Sequence, residues 1–320
     1  MKTRPLAAVA AMALLLTGCG TTEEPAAQTT AAAEKITVTD SRGKEIELDG
    51  PATRVVGTEW NVVENLVTLG VMPVGVADVK GYGAWVTAGE LDQGVTDIGT
   101  RGEPSLDTVA TLDADLIVAT SDLPEAAIAQ LEDLAPVVVV ESADASGQIA
   151  KAEENLTLIA EATGTEAKAD EVLAAFDDAV ARGKTALRDA GLEGSRVAFA
   201  DGWVADGQVS IRPFVEGALL TDINTELGLV SAWDMEGDPA YGLASTDVEG
   251  LTTVDAEHFV YITNEADGDF TDSLADNAVW KSLPFVESGN VHRLADGIWM
   301  FGGPASMTQY VDALVQALAK

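Results

Sequence analysis

The sequence is poor in the side chains that most often build catalytic and metal centres: its 320 residues include one cysteine and two histidines. A metal site made of protein ligands needs several His, Cys or carboxylate groups that converge. His258 and His292 each stand at the start of an expected strand, where a structural role suits them better. No Gly-x-Ser-x-Gly elbow, no phosphate-cradling Gly-rich loop with lysine and no His-Glu-x-x-His stretch occurs. The chain therefore reads as a protein that is not an enzyme and holds no cofactor of its own. Basic residues are also scarce, 18 Lys and Arg against 53 Asp and Glu, for a formal net charge of −35. Nucleic acids and anionic membrane surfaces are polyanions, so neither is expected as a partner.

Long apolar runs are missing as well, apart from LAAVAAMALLL near the N-terminus, which is shorter than the roughly 20 residues of a membrane span. Lys2 and Arg4 precede it, Leu16 is its last residue, and Thr17, Gly18 and Cys19 follow. This resembles a secretion signal over residues 1–18 that ends in a bacterial lipobox. The resemblance implies cleavage before Cys19 and lipidation of its thiol, which would place the protein on the extracytoplasmic face of the cell membrane. With no second cysteine, Cys19 has no disulfide partner within the chain. Residues 19–34 contain few large apolar side chains and suit a flexible tether.

What the sequence does have is apolar content, 47%, and enough length for about two cores. ITVTDSRGKEIEL reads as a hairpin turning at Ser41–Gly43. Strands at 54–57, 74–77, 116–119 and 137–140 then alternate with helices at 59–69, 106–112 and 125–134. That alternation predicts a parallel sheet covered on both faces. Residues 148–190 contain no strand pattern and break only at Thr163-Gly164-Thr165, where Thr165 is placed to cap a second helix. At the usual rise that second helix is near 36 Å long, enough to cross between lobes. Strands at 197–200, 208–211, 259–263 and 291–294 follow, with a last helix over 306–319. The fold class predicted is α/β, with two Rossmann-like lobes (35–164 and 192–320), a spanning helix (165–191) and a ligand cleft between the lobes.

Aromatic residues make up only 5% of the chain, so their placement is informative. Trp60, Tyr82, Trp85, Trp203, Tyr241, Trp299 and Phe301 all fall in loops or at strand ends, where an open α/β sheet places its binding crevice. Of nine arginines, Arg101 lies in the Gly-flanked loop DIGTRGEP and Arg212 ends a strand before Pro213. All nine of these residues are candidates to line a cleft.

One phrase recurs. LDTVATLDADLIVAT (106–120) and VEGLTTVDAEHFVYI (248–262) align at an offset of 142 residues, with Asp107 on Glu249, Asp113 on Asp255 and Asp115 on Glu257. Each is an acid opening a short helix, an acidic turn and an apolar strand. The stretches RVVGTEWNVVENLVTLGVMPVGVAD, KGYGAWV, DIGTRGEPSLDTVATLDADLIVAT, AWDMEGDPAYGLASTDVEGLTTVDAE and IWMFGGPASMTQYVDAL resemble the periplasmic-type iron-siderophore binding proteins of ABC importers, closest to the ferric-hydroxamate branch. The resemblance covers nearly all of residues 36–318. It implies an extracytoplasmic protein that captures a ferric siderophore and delivers it to a membrane permease with its cytoplasmic ATPase, with iron bound only inside the ligand. It further implies that Arg101 donates to hydroxamate oxygens, that Trp299 lines the opposite wall with Tyr241 nearby, and that Asp107 and Glu249 dock to the permease. Haem, cobalamin and catecholate siderophores remain alternative ligands, because the two-lobe fold serves them all. A lipid-anchored hydrolase is a weaker alternative, since it needs a nucleophile with a nearby base.

Overall fold

The computed structural model describes residues 35–265 and 267–319. The signal segment, Cys19 and the tether expected over 19–34 lie outside the described residues. The first elements are an antiparallel hairpin, β1 (Ile36–Thr39) with β2 (Glu45–Leu48), in the register Ile36↔Leu48. Its alternation is visible in burial, since Val38, Ile46 and Leu48 enter the core while their neighbours face solvent.

The first half of the chain then builds β3 (Val55–Gly57), α1 (Trp60–Thr68), β4 (Gly75–Val76), α2 (Val79–Trp85), β5 (Thr96–Asp97), β6 (Gly99–Thr100), β7 (Glu103–Pro104) and α3 (Leu106–Val109). It continues with β8 (Leu116–Thr120), α4 (Glu125–Glu132) and β9 (Val137–Val140). Five strands form a parallel sheet in the order β5-β4-β3-β8-β9. Successive residues of a strand point to opposite faces, and here both faces are covered. Val55, Leu116, Val118, Val138 and Val140 pack on one side, while Val56, Ile117, Ala119, Val137 and Val139 pack on the other. Continuous valine and isoleucine runs are what such a doubly covered sheet requires.

Two helices follow, α5 (Gln148–Thr163) and α6 (Glu166–Asp189). Near its start α6 contributes Ala169, with Val172 and Leu173 beside it, to the core around Val55 and Leu116; further along it contributes Phe176, Ala179 and Leu187 to the core around Val197 and Val260. One helix thus belongs to both hydrophobic cores. Thr165 sits at the predicted cap position, but its backbone lacks the extended conformation that aims a capping hydroxyl, and the hydroxyl hydrogen-bonds Thr163 Oγ1 at 2.9 Å instead.

The second half contains β10 (Arg196–Ala205), β11 (Gln208–Pro213), α7 (Leu219–Glu226), β12 (Val230–Ser231), β13 (His258–Tyr261), α8 (Ala278–Lys281), α9 (Pro284–Glu287), β14 (Val291–Arg293) and α10 (Pro304–Leu318). Its sheet runs β11-β10-β13-β14, with β12 also on β10. All pairings are parallel except β10 with β11, which is antiparallel. β11 runs antiparallel because Asp206 (φ 52) and Gly207 (φ 77) form a tight reversal between it and β10. Asp-Gly with both residues at positive φ is a strong hairpin signal.

The repeat extends beyond the stretch where sequence displays it. Ser105 Oγ accepts from Thr108 N, and 142 residues later Asp247 Oδ1 accepts from Gly250 N. Arg54 N donates to the Asp115 carboxylate and Arg54 Nε to Asp113 O; Arg196 makes the same pair of bonds to Glu257 and Asp255 O. Strand pairing obeys the same offset, Val55↔Leu116 against Val197↔His258. RVVGTEW and RVAFADGW, which open the first strand of each sheet, are therefore structural counterparts, and Glu59 and Asp201 occupy equivalent positions, Glu59 two residues past β3 and Asp201 one residue past the part of β10 that pairs with β13.

Candidate cleft between the two sheets

The carboxyl ends of β3 and β8 and the middle of β10 converge with the loops around Tyr241 and Trp299 on a cavity of about 390 Å³. Of the sequence candidates, Trp60, Trp85, Arg101, Arg212, Tyr241, Trp299 and Phe301 line it. This is the crevice expected where strands of an open α/β sheet end.

Two arginines dominate its chemistry. The Arg101 guanidinium lies 4.1 Å from the Trp60 ring centroid and 5.2 Å from that of Trp299. Its Nε donates to Glu59 Oε2 at 2.9 Å, and its Nη2 sits 2.6 Å from Oε1. Arg212 repeats this design from the other half: its Nε donates to Asp201 Oδ1 at 2.9 Å, its Nη2 bonds Oδ2, and its guanidinium lies 5.3 Å from the Phe301 ring. Both are fork-to-fork pairs, the arrangement in which guanidinium and carboxylate match best. Asp201 is nearly buried, and desolvation pushes its carboxyl above the ordinary range while Arg212 pulls it back. Each arginine keeps further N–H donors for a ligand.

Tyr241 spans the mouth. Its hydroxyl donates to the Asp122 carboxylate, joining the two halves of the chain, and its ring meets Phe301 edge-on at 5.6 Å. Burial and the Asp122 carboxylate hold its hydroxyl far above the ordinary phenol range.

Several candidates sit elsewhere. Tyr82 is 1% exposed and its hydroxyl donates to Gly89 O, so it is a core residue under the cleft and not a wall. Trp203 lies on the protruding end of β10, 46% exposed, and is absent from the cavity lining although Arg212 lies 5.7 Å from its ring. Trp299 does not face Arg101 across the cleft. It packs edge-on against Trp60 at 4.9 Å and Trp85 at 6.0 Å and shares a core cluster with Val63 and Val76, so it belongs to the same wall as Arg101. His258 Nδ1 and His292 Nε2 approach to 3.1 Å between neighbouring strands, away from the cleft. Asp107 and Glu249 are exposed, each two residues after the side chain, Ser105 or Asp247, that accepts from the N–H three residues further on. Among the described residues no three His, Cys, Asp or Glu side chains converge as metal ligands would.

The lining residues that sequence reading passed over are chiefly Glu59, Asn61, Thr120, Ser142 and Asp201. Only the kinship of RVVGTEW and RVAFADGW pointed to the two acids.

Behind the cleft, α1 and α10 are joined by a buried carboxyl. Glu64 is fully buried; its Oε1 accepts from Ser306 N at 2.8 Å and its Oε2 bonds Ser306 Oγ at 2.7 Å. Gly303 must lack a side chain here, since a Cβ would lie 2.0 Å from Asn65 Oδ1. Burial pushes the Glu64 carboxyl from 4.5 up to about 7, with the Ser306 bonds opposing. Between those values the folded chain keeps a proton that the unfolded chain releases, so stability falls as pH rises from about 4.5 to about 7 and then levels. Glu64→Gln reproduces the protonated form and is expected to flatten that decline, gaining on the order of 3 kcal/mol above pH 7. Melting curves from pH 5 to 8 check this; parallel curves for both proteins would refute it.

Residues 55–296 match the family described as Periplasmic binding protein. Iron(3+)-hydroxamate-binding protein FhuD of Escherichia coli is 26% identical over 268 residues, which span 83% of this chain and 86% of that protein. Probable siderophore-binding lipoprotein YfiY of Bacillus subtilis is 25% identical over 93% of this chain and 92% of its own length. Among solved structures, the Fe3+-Desferal-bound siderophore binding protein FhuD from Vibrio cholerae matches with a TM-score of 0.75 at 27% identity, over 83% of this chain and 98% of that one. The triscatecholate siderophore binding protein FeuA of Bacillus subtilis, complexed with Ferri-Bacillibactin, shares the fold at a TM-score of 0.70 and 20% identity, over 89% of this chain and 98% of that one.

Proposed function

The chain belongs to the periplasmic binding protein family, and from that premise we propose that it is the extracytoplasmic substrate-binding component of an ABC importer, which captures a ferric siderophore of the hydroxamate type. The observation that carries this reading is the cleft: aromatic rings around two arginines whose charges are already balanced by Glu59 and Asp201. A ferric siderophore surrounds its own iron with oxygens, so the protein supplies walls and a few donors to the ligand shell. A ferric trihydroxamate is neutral or cationic and suits a balanced lining, whereas a ferric tris-catecholate carries about three negative charges and calls for unpaired bases. The relatives named for hydroxamate and Desferal binding support the same choice. The haem alternative loses its ligands, because the Tyr82 hydroxyl is buried on Gly89 O and the Tyr241 hydroxyl is held by Asp122.

Titration of the purified protein with a neutral ferric trihydroxamate, a ferric tris-catecholate and haem tests this, followed by tryptophan fluorescence, since Trp60, Trp85 and Trp299 line the cavity. The trihydroxamate is expected to bind at least about tenfold more tightly, or about 1.4 kcal/mol. Saturable quenching by haem alone would overturn the reading.

The same reading includes a lipid anchor at Cys19 and a permease, with its cytoplasmic ATPase, that meets both lobes at once through Asp107 and Glu249. The 142-residue offset between these acids, and their equal distance from the equivalent Ser105 and Asp247 side-chain bonds, supports a contact with a two-fold partner. Reversing both charges (Asp107→Lys with Glu249→Lys) is expected to cut ferric siderophore uptake by cells at least tenfold while the affinity of the purified protein changes less than twofold, since neither acid lines the cavity. Wild-type uptake by the double variant would exclude docking through this pair.

A further inference from the structure

We propose that Glu59 and Asp201 set the charge selectivity of the cleft, each neutralising the arginine beside it so that neutral or singly cationic ferric complexes are admitted and polyanionic ones are rejected. This assignment rests on the siderophore reading above and adds to it the residues that discriminate.

The two acids are counterparts, 142 residues apart, in the two halves of the chain, and both face one cavity. The arginines they hold are not counterparts: Arg101 comes from the loop between β6 and β7, Arg212 from β11. The duplicated element is therefore the carboxylate, and each half has supplied its arginine by a different route. In both cases the carboxylate is positioned by backbone. Glu59 Oε1 accepts from Trp60 N at 2.9 Å at the start of α1. Asp201 and Arg212 lie directly opposite each other in the β10–β11 register. The Glu59 and Asp201 side chains are only 19% and 9% exposed, so water screens them little.

The charged side chains of the lining are Glu59, Arg101, Asp201 and Arg212, and they cancel. A carboxylate that occupies Nε and Nη2 leaves a guanidinium able to donate from Nη1 but with its charge offset. A hydroxamate or amide oxygen needs only such a donor. A trianionic complex needs the charge, and it would bring its own negative oxygens close to two carboxylates.

The full-length protein, Glu59→Gln, Asp201→Asn and the double variant are to be titrated with three ferric complexes. These are a neutral trihydroxamate, a trihydroxamate bearing one pendant ammonium, and a trianionic tris-catecholate. Each amide keeps an oxygen acceptor for its arginine but removes the charge. The expected result is a ratio of Kd for the trianion to Kd for the neutral complex that falls at least tenfold in each single variant and further in the double, with the cationic complex moving the opposite way. A ratio within threefold of wild type in Glu59→Gln overturns the assignment, because an ion pair that merely braces the fold would alter melting and leave that ratio alone. Should Asp201→Asn lack a cooperative melting transition, Glu59→Gln decides by itself. Failure of wild type to bind any of the three complexes would instead remove the siderophore reading, a separate outcome.

Discussion

Arg101→Ala is expected to weaken binding of a ferric trihydroxamate by about 2–5 kcal/mol. Two losses add. The ligand loses charge-assisted donors held in place by the Trp60 and Trp299 rings, 4.1 and 5.2 Å away. Glu59, meanwhile, loses its partner and is left as an unpaired, largely covered carboxylate facing the ligand's oxygens. Lysine at this position is expected to recover only part of the affinity, since an ammonium on a flexible stem cannot hold two Glu59 oxygens and still present an ordered donor. Fluorescence titration of wild type, Arg101→Ala and Arg101→Lys measures both effects. Alanine binding within threefold of wild type would remove Arg101 from the ligand contact.

Trp299→Ala is expected to destabilise the fold by about 3–5 kcal/mol as well as weaken binding. A ring that only lined the cleft, as the family resemblance implies for Trp299, would cost little fold stability on removal. In the structure it is 7% exposed and wedged among Trp60, Trp85 and Phe301, with centroids 4.9, 6.0 and 5.2 Å away. Its truncation opens a void that these neighbours cannot close without shifting Trp60, whose indole N–H is bound to Ala77 O. The Trp299 Nε1 has no hydrogen-bond partner among the described residues, so Trp299→Phe gives up area but none of those bonds and is expected to cost only about 1–2 kcal/mol. Denaturant unfolding of the three proteins separates these cases. A loss below about 1 kcal/mol for alanine would mean that the ring does not belong to the core.

Most of the regular structure was legible because it rests on local pattern. Apolar runs such as VVVV at 137–140 became buried strands, and the strand-free stretch 148–190 became two helices broken at Gly164, which takes the left-handed conformation that ends α5. The repeat was legible because duplicated carboxylates keep duplicated hydrogen bonds to Arg54 and Arg196. The direction of β11 is also written locally, in the Asp206-Gly207 turn that reverses the chain after β10.

The cleft was legible as a set of loops but not as a set of contacts. Strand ends and aromatic loops can be counted along a chain, and their convergence follows from how α/β sheets are built. Which face of a ring is covered depends on residues far away in sequence. Tyr82 went to the core through a bond to Gly89, and Trp299 joined the wall of Trp60, 239 positions earlier in the chain. The charge of the cleft follows the same division. Composition determined that the protein is strongly acidic and offers few bases, which by itself turned the reading away from polyanionic ligands. Only the tertiary structure decided that Arg101 meets Glu59 across 42 residues and that Arg212 meets Asp201 across a hairpin. A net charge is a sum over residues and survives any arrangement of them, whereas the field inside a cleft depends on which opposite charges lie within a few ångströms of one another, and only the folded chain sets those distances.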